Sequence, residues 1–292
     1  MKVVIVQKLA RLDALQRDFP GRAERLQQDD PATLAQLKDA ALRQREANLR
    51  VAAVMSRFDW AVTITTRDDF ETPASDTDLV LAVGGDGTVL DVSHSLSGIP
   101  LLGVNSDPSR STGYFSGTTV DDLEATLRRW VRGEEPVTEI RRLGLTIDGQ
   151  PYAVPCMNDL LVANTNPAMM SRYAVTAGPR TEVHASSGIW ISTAAGSTAG
   201  IRSAGGTVLP LGGDLVQYLV REPYPLNGAR YELVRGVRHI HEGLAVRSLM
   251  EGGAVYVDGP YLKIDLPIGT LLEVGEGPRL KIVGMDPMRR ER

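Results

Sequence analysis

The sequence predicts an α/β N-terminal domain, a parallel sheet flanked by helices, followed by an all-β C-terminal domain. Three observations carry this. Over roughly the first 130 residues, short apolar runs alternate with segments of helical character, as in βα units around a parallel sheet. Within that half, LVLAVGGDGTVL (Leu79–Leu90) passes from an apolar run through glycines into a second apolar stretch, a strand–loop–helix signature. After Pro136 the pattern changes to period-two alternation broken by turn residues. The boundary is expected near residue 135, giving domains 1–135 and 136–292.

Val3–Val6 is the first strand. Asp30-Pro31 opens a helix, with Asp30 as N-cap and Pro31 at the first helical position. It is expected to run to about Arg57, with Leu34, Leu37, Ala41, Leu42, Leu49 and Ala53 in a loose helical period. Strands follow at Ala61–Thr65 and Leu79–Val83, then a short helix from about Thr88 and a strand at Pro100–Val104. The segment from Thr119 is the clearest helix. Acids begin it, Leu123 and Leu127 share a face, arginines fill the last turn, and Gly133 follows as C-cap.

In the second half Leu143–Ile147 alternates and ends on Asp148-Gly149, a hairpin signal. Further strands are expected at 152–154, 160–163, 173–176, 189–192, 231–234, 254–257, 262–266, 271–274 and 280–283. No internal repeat or low-complexity segment interrupts them.

Composition bounds the function. The 292 residues suffice to bury a proper core, and a net charge of −4 offers no field for a polyanion, so no nucleic-acid partner is expected. The one cysteine, Cys156, excludes an internal disulfide and fits a reducing, cytoplasmic compartment. The N-terminal apolar run is too short for a signal sequence, and no run approaches the ~18 apolar residues of a membrane span. The C-terminal MRRER cluster is read as a solvated tail, without a membrane role.

The chemistry centres on Gly84-Gly85-Asp86-Gly87-Thr88. At a strand's C-terminal end, leading into a helix, such a loop sits where α/β sheets bind ligands and where free N–H groups meet anions. A tight turn capped by Thr88 is the bland alternative. The chain has no GxxxxGK[ST] loop, and the loop lacks the third glycine of GxGxxG. Asp86 is the anomaly, because a carboxylate ~4 Å from a phosphate oxygen is repelled by about 4 kcal/mol at an effective dielectric near 20. It needs a compensating role, holding Mg²⁺ or accepting a proton from an attacking hydroxyl, and both belong to phosphoryl transfer.

GGDGT after an apolar strand resembles the NAD kinases, the diacylglycerol and sphingosine kinases and the 6-phosphofructokinases. Downstream motifs choose among them. Asn158-Asp159 is similar to the NAD kinase Asn-Glu motif with a shorter acid, and Ser192–Gly200 (STAAGSTAG) resembles that family's STPTGSTAY signature, continued by Ser203–Gly206. Val257-Asp-Gly259 resembles its closing β segment. Lys8, Gly103–Gly113 and Ser186–Gly188 resemble the mitochondrial-type NAD kinases and their bacterial relatives.

The resemblance implies a nucleotide-binding α/β domain and a β-rich dinucleotide-binding and oligomerisation domain, with the site between them. It implies phosphorylation by ATP, with Mg²⁺, of the adenosine-ribose 2′-hydroxyl of NAD(H). Asp86 would be the base, and Lys8, Gly85, Gly87 and Thr88 would serve the phosphates. Asn105, Tyr114, Asn158, Asp159, Ser187, Thr198, Ala199 and Ser203 would contact the dinucleotide. A homodimer or homotetramer is implied. The chain departs from the family at Gly200, where the signature ends in Tyr, at Ser187, where Asp is frequent, and mildly at Tyr114. These changes bear on NAD against NADH and on ATP against polyphosphate. Two alternatives stay open: a GGDGT-type kinase for another small-molecule or lipid acceptor, and a non-catalytic dinucleotide-binding relative of the acetoin-operon type.

Other residues have blander readings. His239 and His241 would share a strand face, but no further ligand at a convincing spacing completes a metal set, so hydrogen-bonded strand histidines are expected. His94 is read as a helix-surface residue, His184 is ambiguous, Cys156 is read as a buried inert thiol, and Met169-Met170 as packing. Arg110 has two readings, a phosphate anchor or a salt bridge to Asp107.

Overall fold

The computed structural model describes residues 1–225, 230–260 and 262–286; the MRRER cluster lies outside them. The chain divides into two units, Met1–Thr138 joined by the stretch from Leu280, and Glu139–Arg279.

In the first unit the order is β1 (Lys2–Gln7), α1 (Arg11–Asp18), α2 (Arg22–Asp29), α3 (Pro31–Met55), β2 (Ala61–Thr66), β3 (Leu79–Gly84), α4 (Asp86–Ser93), β4 (Leu101–Asn105), β5 (Ser116–Thr119), α5 (Leu123–Val131) and β6 (Val137–Ile140). The last strand, β19 (Leu280–Val283), returns to it. The sheet runs β2-β1-β3-β4-β19-β6, with β5 also paired to β4. The pairings of β1 with β2 and β3, and of β4 with β3, β5 and β19, are all parallel. Every residue of β3 and β4 is buried, which is why both read as unbroken apolar runs rather than alternating ones.

Asp30 caps α3 through Thr33 N–H to its carboxylate at 3.0 Å, with Pro31 next. The buried row is Leu34, Ala41, Gln44, Ala47, Val51 and Met55. Leu42 and Leu49, expected inward, are 56% and 72% exposed. The helix carries apolar residues on more than one face, so periodicity alone could not select the row. α1 and α2 escaped the sequence reading because packing makes them: Ala10 and Leu12 cluster with Leu34 and Ala41. The helix expected from Thr119 starts at Leu123, because Ser116–Thr119 is used as β5, and that expected from Thr88 starts at Asp86. β19 was grouped by sequence with the β-rich half. Its LKIV run announces a strand, but only tertiary pairing of Ile282 with Leu101 assigns its sheet.

The second unit holds β7 (Leu143–Ile147), β8 (Gln150–Cys156), β9 (Asp159–Asn164), β10 (Ser171–Ala177), β11 (Arg180–Ser186) and β12 (Gly188–Thr193). A 3₁₀ turn (Ala195–Thr198) and α6 (Gly200–Ser203) follow. Then come β13 (Leu215–Arg221), β14 (Arg235–His239), a second 3₁₀ turn (Ile240–Glu242), β15 (Leu244–Ser248), β16 (Gly253–Val257), β17 (Leu262–Asp265) and β18 (Leu271–Glu276). Two six-stranded sheets result, β11-β10-β15-β18-β7-β8 and β14-β13-β12-β9-β16-β17. Leu145, Tyr173 and Val246 of one share a core with Leu160, Ile189 and Val255 of the other. The β7–β8 turn has positive φ at Asp148 (48°) and Gly149 (79°), the hairpin geometry expected of Asp-Gly.

The strand expected at Tyr231–Val234 lies instead at Arg235–His239. Val234 still accepts from Val220 N–H at 2.8 Å, just outside the regular ladder. No helix among the described residues is long and apolar enough to cross a membrane.

Candidate active site

The GGDGT loop turns from β3 into α4. A side chain at Gly84 would overlap the Thr88 hydroxyl, and one at Gly85 would lie 2.9 Å from Ser111 Oγ. Fold packing therefore explains both glycines. It does not explain Gly87, whose missing Cβ would have no neighbour within 4 Å. Asp86 occupies the first turn of α4, where the helix dipole favours its negative charge. Phe115 N–H donates to Asp86 Oδ1 at 2.9 Å and fixes the carboxylate's orientation.

Lys8, Gly85, Asp86 and Gly87 line one cavity of 410 Å³, together with Asp107 and Arg110. Burial, then the nearby Arg11 and Arg67, push the Lys8 ammonium below its ordinary pKa, against the pull of Asp107. A cation crowded by other cations gains most from an arriving anion. Gln44 braces the rim, accepting from Ser106 Oγ at 2.8 Å and donating to the Val83 carbonyl at 3.4 Å. Thr88 is 2% exposed and its hydroxyl turns onto Gly84, so its side chain does not join this cavity. Asn105 is buried and lines a neighbouring cavity of 260 Å³. Its amide donates to the Ser111 carbonyl at 3.1 Å and accepts from Asp107 N–H at 3.1 Å. Tyr114 is half-buried beside Phe115.

In the second unit Asn158 and Asp159 open β9. Asp258, at a positive φ of 52°, accepts from three consecutive backbone N–H groups: Met157 at 2.8 Å, Asn158 at 2.5 Å and Asp159 at 3.1 Å. The sequence marked this residue only within Val257-Asp-Gly259, by resemblance and with no role attached. Arg142, fully buried, donates to the Pro278 carbonyl at 2.7 Å and adds an attractive charge near Asp258. The Ala195–Thr198 turn packs directly on Asn158, where a side chain at Gly196 would overlap the Asn158 carbonyl. Gly200 N–H bonds to the Asp159 carboxylate, and burial, followed by the charge of Asp258, pushes that carboxyl up to about 7.

Asn158, Asp159, Thr198 and Ala199 are thus brought together, with Ser203 exposed at the end of α6. Ser187 is not among them. It precedes β12, whose other end carries the turn, about 20 Å away at ~3.3 Å per residue.

Several expectations change. Arg110 pairs with Asp39 at 2.7 Å rather than with Asp107, because α3 presents Asp39 to that loop. Met169 and Met170 are 58% and 39% exposed, not packed. His239 ends a strand, and His241 lies in the following 3₁₀ turn rather than on the same strand. Cys156 is fully buried, as expected, 3.1 Å from Asp258 Oδ1, and burial raises its thiol pKa. His184 is buried between Tyr173 and Tyr231, with Nε2 2.9 Å from Glu182 Oε2. His94 caps the C-terminus of α4, half-buried.

The profile of the ATP-NAD kinase N-terminal domain matches residues 20–135. A probable NADH kinase of Oryza sativa subsp. japonica is 33% identical over 88% of this chain and 86% of its own length. An NADH kinase of Arabidopsis thaliana is 32% identical over 74% of this chain and 76% of its own length. Among solved structures, an NAD kinase from Archaeoglobus fulgidus in complex with ATP superposes with a TM-score of 0.69 at 19% identity, covering 99% of this chain and 95% of that one. Yeast NADH kinase complexed with NADH gives 0.69 at 15% identity, covering 100% and 86%. These two likenesses show a shared fold. With one-third identity sustained along nearly the whole of a plant relative, the chain belongs to the ATP-NAD kinase family.

Proposed function

We propose that the chain is an NAD(H) kinase, transferring the γ-phosphoryl group of Mg-ATP to the adenosine-ribose 2′-hydroxyl of NAD(H). Asp86 carries the reading: a carboxylate oriented by Phe115 N–H, in a glycine loop, sharing a cavity with Lys8. Asp86 accepts the hydroxyl proton as the ribose oxygen bonds to the γ-phosphorus. The bond to the bridging oxygen breaks, and ADP leaves with its electron pair. Lys8 and the Gly85 and Gly87 backbone balance phosphate charge. Thr88 shapes the loop instead: its hydroxyl faces Gly84 and its N–H donates to the Gly85 carbonyl at 2.9 Å. Asp107 supplies a hard oxygen donor on the same cavity, suited to Mg²⁺, which when bound with ATP would neutralise developing phosphate charge.

On the dinucleotide side, Asn158 and Asp159 bind ribose hydroxyls of the nicotinamide half. Thr198, Ala199 and Ser203 contact the substrate through backbone or hydroxyl groups. The enzyme works in the cytoplasm as a homodimer or homotetramer. Exposed Val183 and Val237 on the edge strands β11 and β14 support self-association through the β-rich unit, which sedimentation tests.

The deciding assay offers NAD and NADH against ATP and polyphosphate. Asp86→Asn is expected to lower the rate by about 10²–10⁴-fold while NAD still binds. Full activity in that variant overturns the base assignment. NAD binding by the unmodified protein without NADP formation would favour a sensor instead.

A further inference from the structure

One surface cluster outside these residues gathers three metal-ligating side chains from distant positions. Asp214 precedes β13, His239 ends β14, and His241 lies in the turn that follows. Leu215 pairs with His239, and Ile240 N–H donates to the Asp214 carbonyl at 2.8 Å, so the ladder itself sets the acid beside the histidines. One ligand atom from each residue lies within 4.8 Å of the other two. His239 Nδ1 is 3.0 Å from Asp214 Oδ1, and the imidazole centroids are 5.3 Å apart.

We propose that Asp214, His239 and His241 form a binding site for a divalent first-row cation of the zinc type, with water completing its shell. Zinc takes nitrogen and oxygen ligands at ~2.0–2.2 Å, which places neighbouring ligand atoms of a tetrahedron ~3.3 Å apart. The cluster is within a rotamer adjustment of that geometry. The side chains of His239 and Asp214 are 51% and 40% exposed, so they can make the adjustment and solvent can reach the ion. Two imidazoles and a carboxylate suit zinc rather than magnesium, which prefers all-oxygen shells. The site is therefore chemically separate from the Mg²⁺ that accompanies ATP. Bordering cations are neutralised, Arg238 by Glu242 and Arg141 by Glu276, each at 2.6 Å. The sequence supplied the two histidines but no third ligand at a recognisable spacing; the β13–β14 register supplies Asp214 from 25 residues away.

Asp214 also ends the segment that leaves α6. Leu209 N–H donates to Ser197 Oγ at 2.9 Å, and the Gln217 side chain brackets Thr207 at 2.9 and 2.7 Å. A bound ion clips the far end of that segment to β14 and stabilises the folded chain by mass action.

The test is a Zn²⁺ titration of the full, tag-free chain against a chromophoric chelator, with thermal unfolding followed with and without Zn²⁺. The expected result is one equivalent bound and not displaced by excess Mg²⁺, with a rise in the unfolding temperature. His241→Ala and Asp214→Asn, both checked for folding by circular dichroism, should each weaken binding at least tenfold and remove the thermal rise. Cys156→Ser should bind as the unmodified chain does. Absence of stoichiometric binding by the folded chain, or undiminished binding by both variants, overturns the proposal.

Discussion

Asp159 and Asp258 are held together by backbone hydrogen bonds although their carboxylates repel. Asp258 N–H donates to the Asp159 carbonyl at 2.9 Å, and Asp159 N–H donates to Asp258 Oδ1 at 3.1 Å. The pairing fixes the start of β9 and places two carboxyl groups near one another in a buried setting, so they cannot both ionise without cost.

That cost sets a pH dependence. Below about pH 4 the Asp159 carboxyl is protonated folded and unfolded, and no penalty exists. With its folded pKa near 7, stability is lost as pH rises from about 4 to about 7, because only the unfolded chain ionises it freely. Asp159→Asn keeps an acceptor for Gly200 N–H and removes the titration. Its stability relative to the unmodified chain should grow by about 2–3 kcal/mol between pH 5 and pH 8. Urea unfolding at the two values measures this, and parallel curves would refute it.

The glycines of the loop should separate by cause. Gly84→Ala meets the Thr88 hydroxyl and should destabilise by about 1–3 kcal/mol. Gly87→Ala meets nothing and should leave the melting temperature unchanged. If the Gly87 backbone approaches phosphate, that variant should still raise the KM for ATP. An unaltered KM would remove Gly87 from the phosphate site.

Arg142 is buried beside Asp258. Arg142→Met keeps much of the volume but strips the counter-charge, and should cost about 3–5 kcal/mol in chemical denaturation. A loss below 1 kcal/mol would mean that the Arg142 charge contributes little to holding Asp258 beside its backbone N–H and Cys156 thiol donors.

Asp30→Ala removes the acceptor for Thr33 N–H. About 1 kcal/mol of stability should be lost, with no change in kinetic constants. A change in KM for ATP would show that α3 transmits its position to the cavity through Gln44.

The two-part architecture and the strand–GGDGT–helix turn were legible in the sequence, because each rests on local chemistry: period, capping and glycine placement; Asn158-Asp159 and STAAGSTAG stood out only by resemblance to a family. Leu143–Ile147 with Asp148-Gly149 was legible from the same local chemistry. β13, β11 and the sheet of β19 were not, since strand pairing is a long-range choice that a short apolar run does not encode. Leu42 and Leu49 were misread because a helix apolar on several faces leaves its buried row to whatever packs against it. Asp258 and Asp214 mark the same limit. As letters they are an acid before glycine and an acid after glycine. Only the tertiary structure, by bringing β16 to β9 and β13 to β14, puts one under three backbone N–H groups and the other beside two imidazoles.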